Sequence, residues 1–119
     1  MKIKPCMPPS ADLIDELVKL KEEYGEMIEE IIAGDHEKTC REALDVMQVI
    51  ANISCFNNID GTKMREYKHA QKSLELSINY LGRSNNKYKN ELLCRLIDEH
   101  YDKMERRKKE WAGCDKVES

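Results

Sequence analysis

Apolar residues recur at helical intervals along most of the chain. Leu13, Leu17, Leu20, Tyr24, Met27, Ile28 and Ile31 keep the alternating three-and-four spacing that lines one face of an α-helix, which predicts a first helix over about 11–33. Ser10, after the breaker-rich "PCMPPS", is a suitable N-cap, and Gly34 supplies the stop. Asp35 then caps a second helix over about 36–57, with Glu37 in the first turn where the helix dipole favours negative charge. So short a turn makes these helices an antiparallel hairpin. From Leu44 to Phe56 the second helix is apolar nearly all round. A helix with no polar face is buried on several sides, and in a small protein another subunit is the simplest cover. The pattern therefore places this helix centrally, at a dimer or tetramer interface. After the turn "NNIDGT", Met64, Tyr67, Leu74, Ile78 and Leu81 predict a third helix over about 63–81. Leu92, Leu93, Leu96, Ile97 and Met104 predict a fourth over about 87–111.

Taken together, the pattern describes an all-α chain: a lead at 1–9, one four-helix domain at 10–112 and a frayed tail at 113–119. A length of 119 residues suits one domain with a modest core, the kind that oligomerisation often completes. Charged residues make up 36% and aromatics only 6%, a balance that fits helices better than a β-sandwich. A net charge of −3 lacks the basic excess of a nucleic-acid binder, although "KMERRKKEW" is locally basic. No apolar run approaches the roughly 20 residues that span a bilayer. The five cysteines show neither C-x-x-C nor metal-type spacing. With no export signal in "MKIKPCMPPS", they are expected to be reduced thiols in the cytoplasm.

The hairpin concentrates acid in "KEEYGEMIEEIIAGDHEKTCREALDVMQ". Residues three apart share a helix face, so Glu23 points with Glu26, and Glu42 with Asp45. By helical angle Glu23 flanks the apolar stripe, whereas Glu22 and Glu29 stand opposite it, toward solvent. Asp45 is the sharper case, because it begins the all-round apolar stretch, where an unpaired carboxylate is costly to bury. Asn52 shares its side of the helix. Such a polar stripe needs a partner, supplied either by basic residues on neighbouring helices or by a divalent cation. Four oxygen donors suit Mg²⁺, with Mn²⁺ as the alternative, and the absence of Cys and His from the cluster argues against zinc. A solvated, salt-bridged acidic face is the competing reading.

The same residues carry a family likeness. E-x-x-E followed by E-x-x-D on a helical hairpin, here "EEYGE" (22–26) and "EALD" (42–45), resembles the MazG-like all-α nucleoside triphosphate pyrophosphohydrolases, short phage and bacterial members in particular. The likeness spans about residues 13–57. It implies a four-helix MazG-like bundle, which the apolar second helix leads us to expect as a homodimer or homotetramer. It also implies a Mg²⁺-dependent reaction in which water attacks phosphorus, giving nucleoside monophosphate and pyrophosphate from a (deoxy)nucleoside triphosphate, as in nucleotide-pool house-cleaning. Glu23, Glu26, Glu42 and Asp45 would be metal ligands and catalytic, and Asn52 matches a polar position seen in some members. The segment "HYDKMERR" resembles the family's cationic segment and makes Lys103 and Arg106 candidate phosphate contacts. A weaker echo at His69 and Lys72 leaves that assignment open. Tyr24, Phe56, Tyr80, Tyr101 and Trp111 are candidates for stacking on a base. Two other functions compete: a non-catalytic helical interaction or regulatory module, and nucleic-acid association through "RRKK" at 106–109. The acidic hairpin argues against the latter as a main role.

Overall fold

The computed structural model describes residues 3–56, 65, 68, 69, 71, 72, 74, 75 and 87–118, the last stretch with side chains at 91–111. Among them the chain is all-helical, with three helices and no strand: α1 (Leu13–Ala33), α2 (His36–Ile53) and α3 (Lys87–Glu118). The third helix expected over 63–81 lies largely outside the described residues, though every described position from 65 to 75 is helical. Tyr80 also lies outside them.

Local chemistry explains the hairpin. Asp12 caps α1 in a capping box, accepting from the Asp15 amide (2.8 Å) while Asp15 accepts from the Asp12 amide (3.2 Å). The cap is two residues beyond Ser10, because a turn closed by the Ala11 amide on the Pro8 carbonyl (3.0 Å) holds Ser10 outside the helix. At the other end Gly34 adopts the left-handed conformation (φ 77°). Its amide donates to Ile31 O (3.1 Å) and that of Asp35 to Glu30 O (3.2 Å), the paired bonds of a Schellman motif. Asp35 then caps α2 by accepting from the Lys38 amide (3.0 Å). Chain reversal thus occupies only two residues.

α2 is the central element. One of its faces packs Ala43, Val46, Val49 and Ile53 against Leu20 and Met27 of α1, together with Leu74; Met27, Val46 and Ile53 are wholly buried. Another presents Cys40 and Leu44 to Leu92 and Leu96 of α3. Each of these large apolar side chains contributes roughly 1.5–3 kcal/mol by leaving water. Most of the apolar girdle of α2 is therefore packed within one chain, while Met47, Ile50, Ala51 and Phe56 are half-buried.

The direction of each helix follows from its partners. Glu16, near the start of α1, meets Asn52, near the end of α2, so these two are antiparallel. Between α2 and α3, Glu37 pairs with Arg95 (2.8 Å), Arg41 with Glu99 (3.4 Å) and Asp45 with Lys103 (3.1 Å). These pairs advance together one turn at a time, so α2 and α3 run parallel. The connection between them must return the chain from the far end of α2 to its start, and Leu74 on that connection enters the core. None of the helices among the described residues is long and apolar enough to cross a membrane.

Candidate metal centre

The hairpin brings Glu23 and Glu26 of α1 to Glu42 of α2. One carboxylate oxygen from each lies within 4.8 Å of the others. Glu26 is exposed, while Glu23 and Glu42 are half-buried. The Oε2 atoms of Glu23 and Glu42 are buried with no hydrogen-bond partner. Buried carboxylate oxygens are expensive to leave without a donor or a cation. Burial pushes Glu42 up to about 8, helped by its hydrogen bonds with Glu23 and Glu26 and by the charge of Asp45. Glu23 is raised as well, first by burial, against which its bond with Glu42 acts. Three hard oxygen donors, two with vacant lone pairs, fit a divalent cation of the Mg²⁺ or Mn²⁺ type, which can replace the proton they otherwise share. Glu22 and Glu29 are exposed, as their helical angles require.

Asp45, the fourth expected ligand, borders this group of three without belonging to it. Asp45 is close enough for its charge to raise both Glu23 and Glu42. Its Oδ1, however, accepts from Lys103 Nζ at 3.1 Å and lies 3.6 Å from His100 Nδ1. Lys103 is thus one of the basic partners that the sequence allows for Asp45. Lys103 and Arg106 line one cavity of about 350 Å³ with Glu42, Asp45, Arg41 and His100. The cationic segment of α3 thus adjoins the acidic cluster, and both candidate phosphate contacts open onto it.

The expectation for Asn52 needs correcting. It is buried and held in a network, not presented to a ligand. Its Oδ1 accepts from the Cys6 amide (2.7 Å) and Gln48 Nε2 (3.2 Å), and its Nδ2 donates to Cys6 O (3.0 Å) and Glu16 Oε2 (3.2 Å). Every hydrogen-bonding position of the amide is thereby matched to the core and lead. Gln48 extends the chain of bonds. Its Nε2 donates to Lys4 O (2.7 Å), which leaves Oε1 to accept from His100 Nε2 (3.0 Å). Burial lowers the His100 pKa, with Lys103 and Arg107 acting in the same direction and Asp45 opposing. The imidazole is therefore neutral at pH 7 and carries its proton on Nε2, which leaves Nδ1, 3.6 Å from Asp45 Oδ1, with no hydrogen to donate.

Glu16 and Gln48 are site neighbours not expected from the sequence, and His100 was expected only as part of "HYDKMERR". Glu16 had a signal: it lies seven residues before Glu23, on the face shared by Leu13, Leu17 and Leu20, where a carboxylate must be explained. Gln48 stands one turn before Asn52. Of the residues considered for stacking or phosphate contact, Tyr24 packs against the core and meets His69 edge-on with ring centroids 6.3 Å apart. Lys72 and Tyr101 are exposed, and Phe56 and Trp111 are half-buried.

Comparison of the chain with protein-family models, curated proteins and solved structures yields no match.

Proposed function

We propose that the protein is a Mg²⁺-dependent nucleotide pyrophosphohydrolase of the MazG-like kind, cleaving a (deoxy)nucleoside triphosphate to the monophosphate and pyrophosphate. The observation that carries this reading is the convergence of Glu23, Glu26 and Glu42 across the hairpin, with two buried carboxylate oxygens lacking partners. Glu23 and Glu42 would hold the cation from its buried side and Glu26 from its exposed side. When bound, Mg²⁺ neutralises triphosphate charge and makes water more acidic. Lys103 and Arg106, on the wall shared with Glu42, would bind phosphate oxygens. Asp45 would hold Lys103 at the cavity wall. In the reaction a water oxygen bonds to phosphorus, the α–β bridging bond breaks, pyrophosphate leaves, and a carboxylate of the cluster takes the water proton.

On the same reading, segment 63–81 is the remaining helix of a four-helix bundle, the chain works in the cytoplasm on the nucleotide pool, and copies assemble as a homodimer or homotetramer.

The test is pyrophosphate release from a panel of natural, oxidised and methylated (d)NTPs with Mg²⁺ or Mn²⁺. At least one nucleotide should be cleaved. Glu26→Gln, a change at an exposed position, should abolish release while the helical circular dichroism is unchanged. A blank panel with both metals would overturn the proposal and favour a non-catalytic helical interaction module.

A further inference from the structure

α1 carries a second ordered face, remote from the carboxylates. Ile14, Val18 and Ile32 are 59%, 53% and 81% exposed. With Lys21, Gly25 and Ile28 they recur at intervals of four, three, four, three and four residues, and so form one stripe roughly 80° wide. This is the seam spacing of a helix that pairs with another helix. Glu23 and Glu26 lie outside the stripe, on the side of α1 that meets α2.

At the middle of the stripe stands Gly25, where an added Cβ would meet nothing within 4 Å. A mid-helix glycine weakens a helix relative to alanine, and no described residue lies within 4 Å of the Cβ position beside this one. A bare backbone at the centre of an apolar seam permits close approach of a second helix. Lys21 and Glu29 lie one turn to either side of Gly25, and both are exposed. Neither has an ion-pair partner among the described residues.

We infer that α1 pairs antiparallel with α1 of a second copy, crossing at Gly25. Two-fold symmetry then sets Lys21 opposite Glu29 of the other copy, and Val18 opposite Ile32, each pair occurring twice. A parallel arrangement would instead stack Lys21 on Lys21, so charge selects the antiparallel one. A seam of one helix pair is a small interface, and the dimer it makes is concentration-dependent. The inference stands whether or not the protein hydrolyses nucleotides, because it uses none of the site residues.

Sedimentation velocity on the full chain, from low micromolar to several hundred micromolar, tests the pairing. The wild type should shift from monomer to dimer. Ile32→Glu, at a position already facing water, should remain monomeric with unchanged helical circular dichroism. Lys21→Glu and Glu29→Lys should each weaken the dimer by roughly tenfold or more, and the double variant should restore it. A wild type monomeric throughout, or a dimer indifferent to Ile32→Glu, would overturn the inference. A dimer weakened by Ile32→Glu but not rescued by the double charge reversal would overturn the antiparallel register.

Discussion

Carboxylates held as close as those of Glu23, Glu26 and Glu42 cannot all be ionised at neutral pH unless a cation joins them. The raised pKa of Glu42, about 8, expresses this as a retained proton. Linkage gives the direction. Between about 4.5 and 8 the folded chain holds a proton on Glu42 that the unfolded chain has released, so stability falls as pH rises through that window. Glu23 acts in the same sense. His100 acts oppositely: its lowered pKa makes stability rise with pH, up to its unfolded value of 6.5. The carboxyl effect is therefore cleanest between pH 6.5 and about 8. Thermal melts of the metal-free protein should show the midpoint falling across this interval. Saturating Mn²⁺ should flatten the fall, and Glu42→Gln should flatten it without metal. Binding of Mn²⁺ at pH 7 should release about one proton, measured by titration calorimetry in buffers of different ionisation enthalpy.

The hairpin turn sets the register that makes this cluster. With φ at 77°, Gly34 occupies a conformation that costs any side chain, while open space surrounds it. Gly34→Ala should cost about 1–2 kcal/mol through backbone strain alone, read from urea unfolding, and should weaken Mn²⁺ binding by disturbing the register of Glu23 against Glu42. The turn, the Asp35 cap and the first helix were legible because caps and left-handed glycines are decided within a few residues. Other ends were not. α2 was expected to reach position 57 because apolar residues continue through Phe56. It stops at Ile53, where its backbone tightens into bonds from Cys55 to Asn52 O (3.1 Å) and from Phe56 to Ile53 O (3.0 Å). α3 continues past Gly113 to Glu118, beyond the end that its apolar pattern suggested.

For the whole molecule, one amide ties together elements distant in sequence. Asn52 satisfies the amide and carbonyl of Cys6 in the lead and the wholly buried Glu16 of α1. Asn52→Ala would strand these groups in the core. Each unsatisfied group costs about 1–3 kcal/mol, so the variant should lose at least about 2 kcal/mol in denaturant unfolding. A loss near zero would mean that the lead is not held by this network.

Sequence by itself determined the all-helical class, the antiparallel α1–α2 hairpin, and the shared face of Glu23 with Glu26 and of Glu42 with Asp45. Helical period, capping and a left-handed glycine are local effects that act wherever the rest of the chain lies. Only the tertiary structure decided which of those carboxylates converge. Placing α3 parallel to α2 brings Lys103 to Asp45 across 58 residues of sequence, while Glu23, Glu26 and Glu42 converge across the hairpin. The same packing closes the lead over Asn52 and turns a candidate ligand contact into a core fastening. Such choices depend on burial and charge pairing between distant segments, which no periodicity within one helix records.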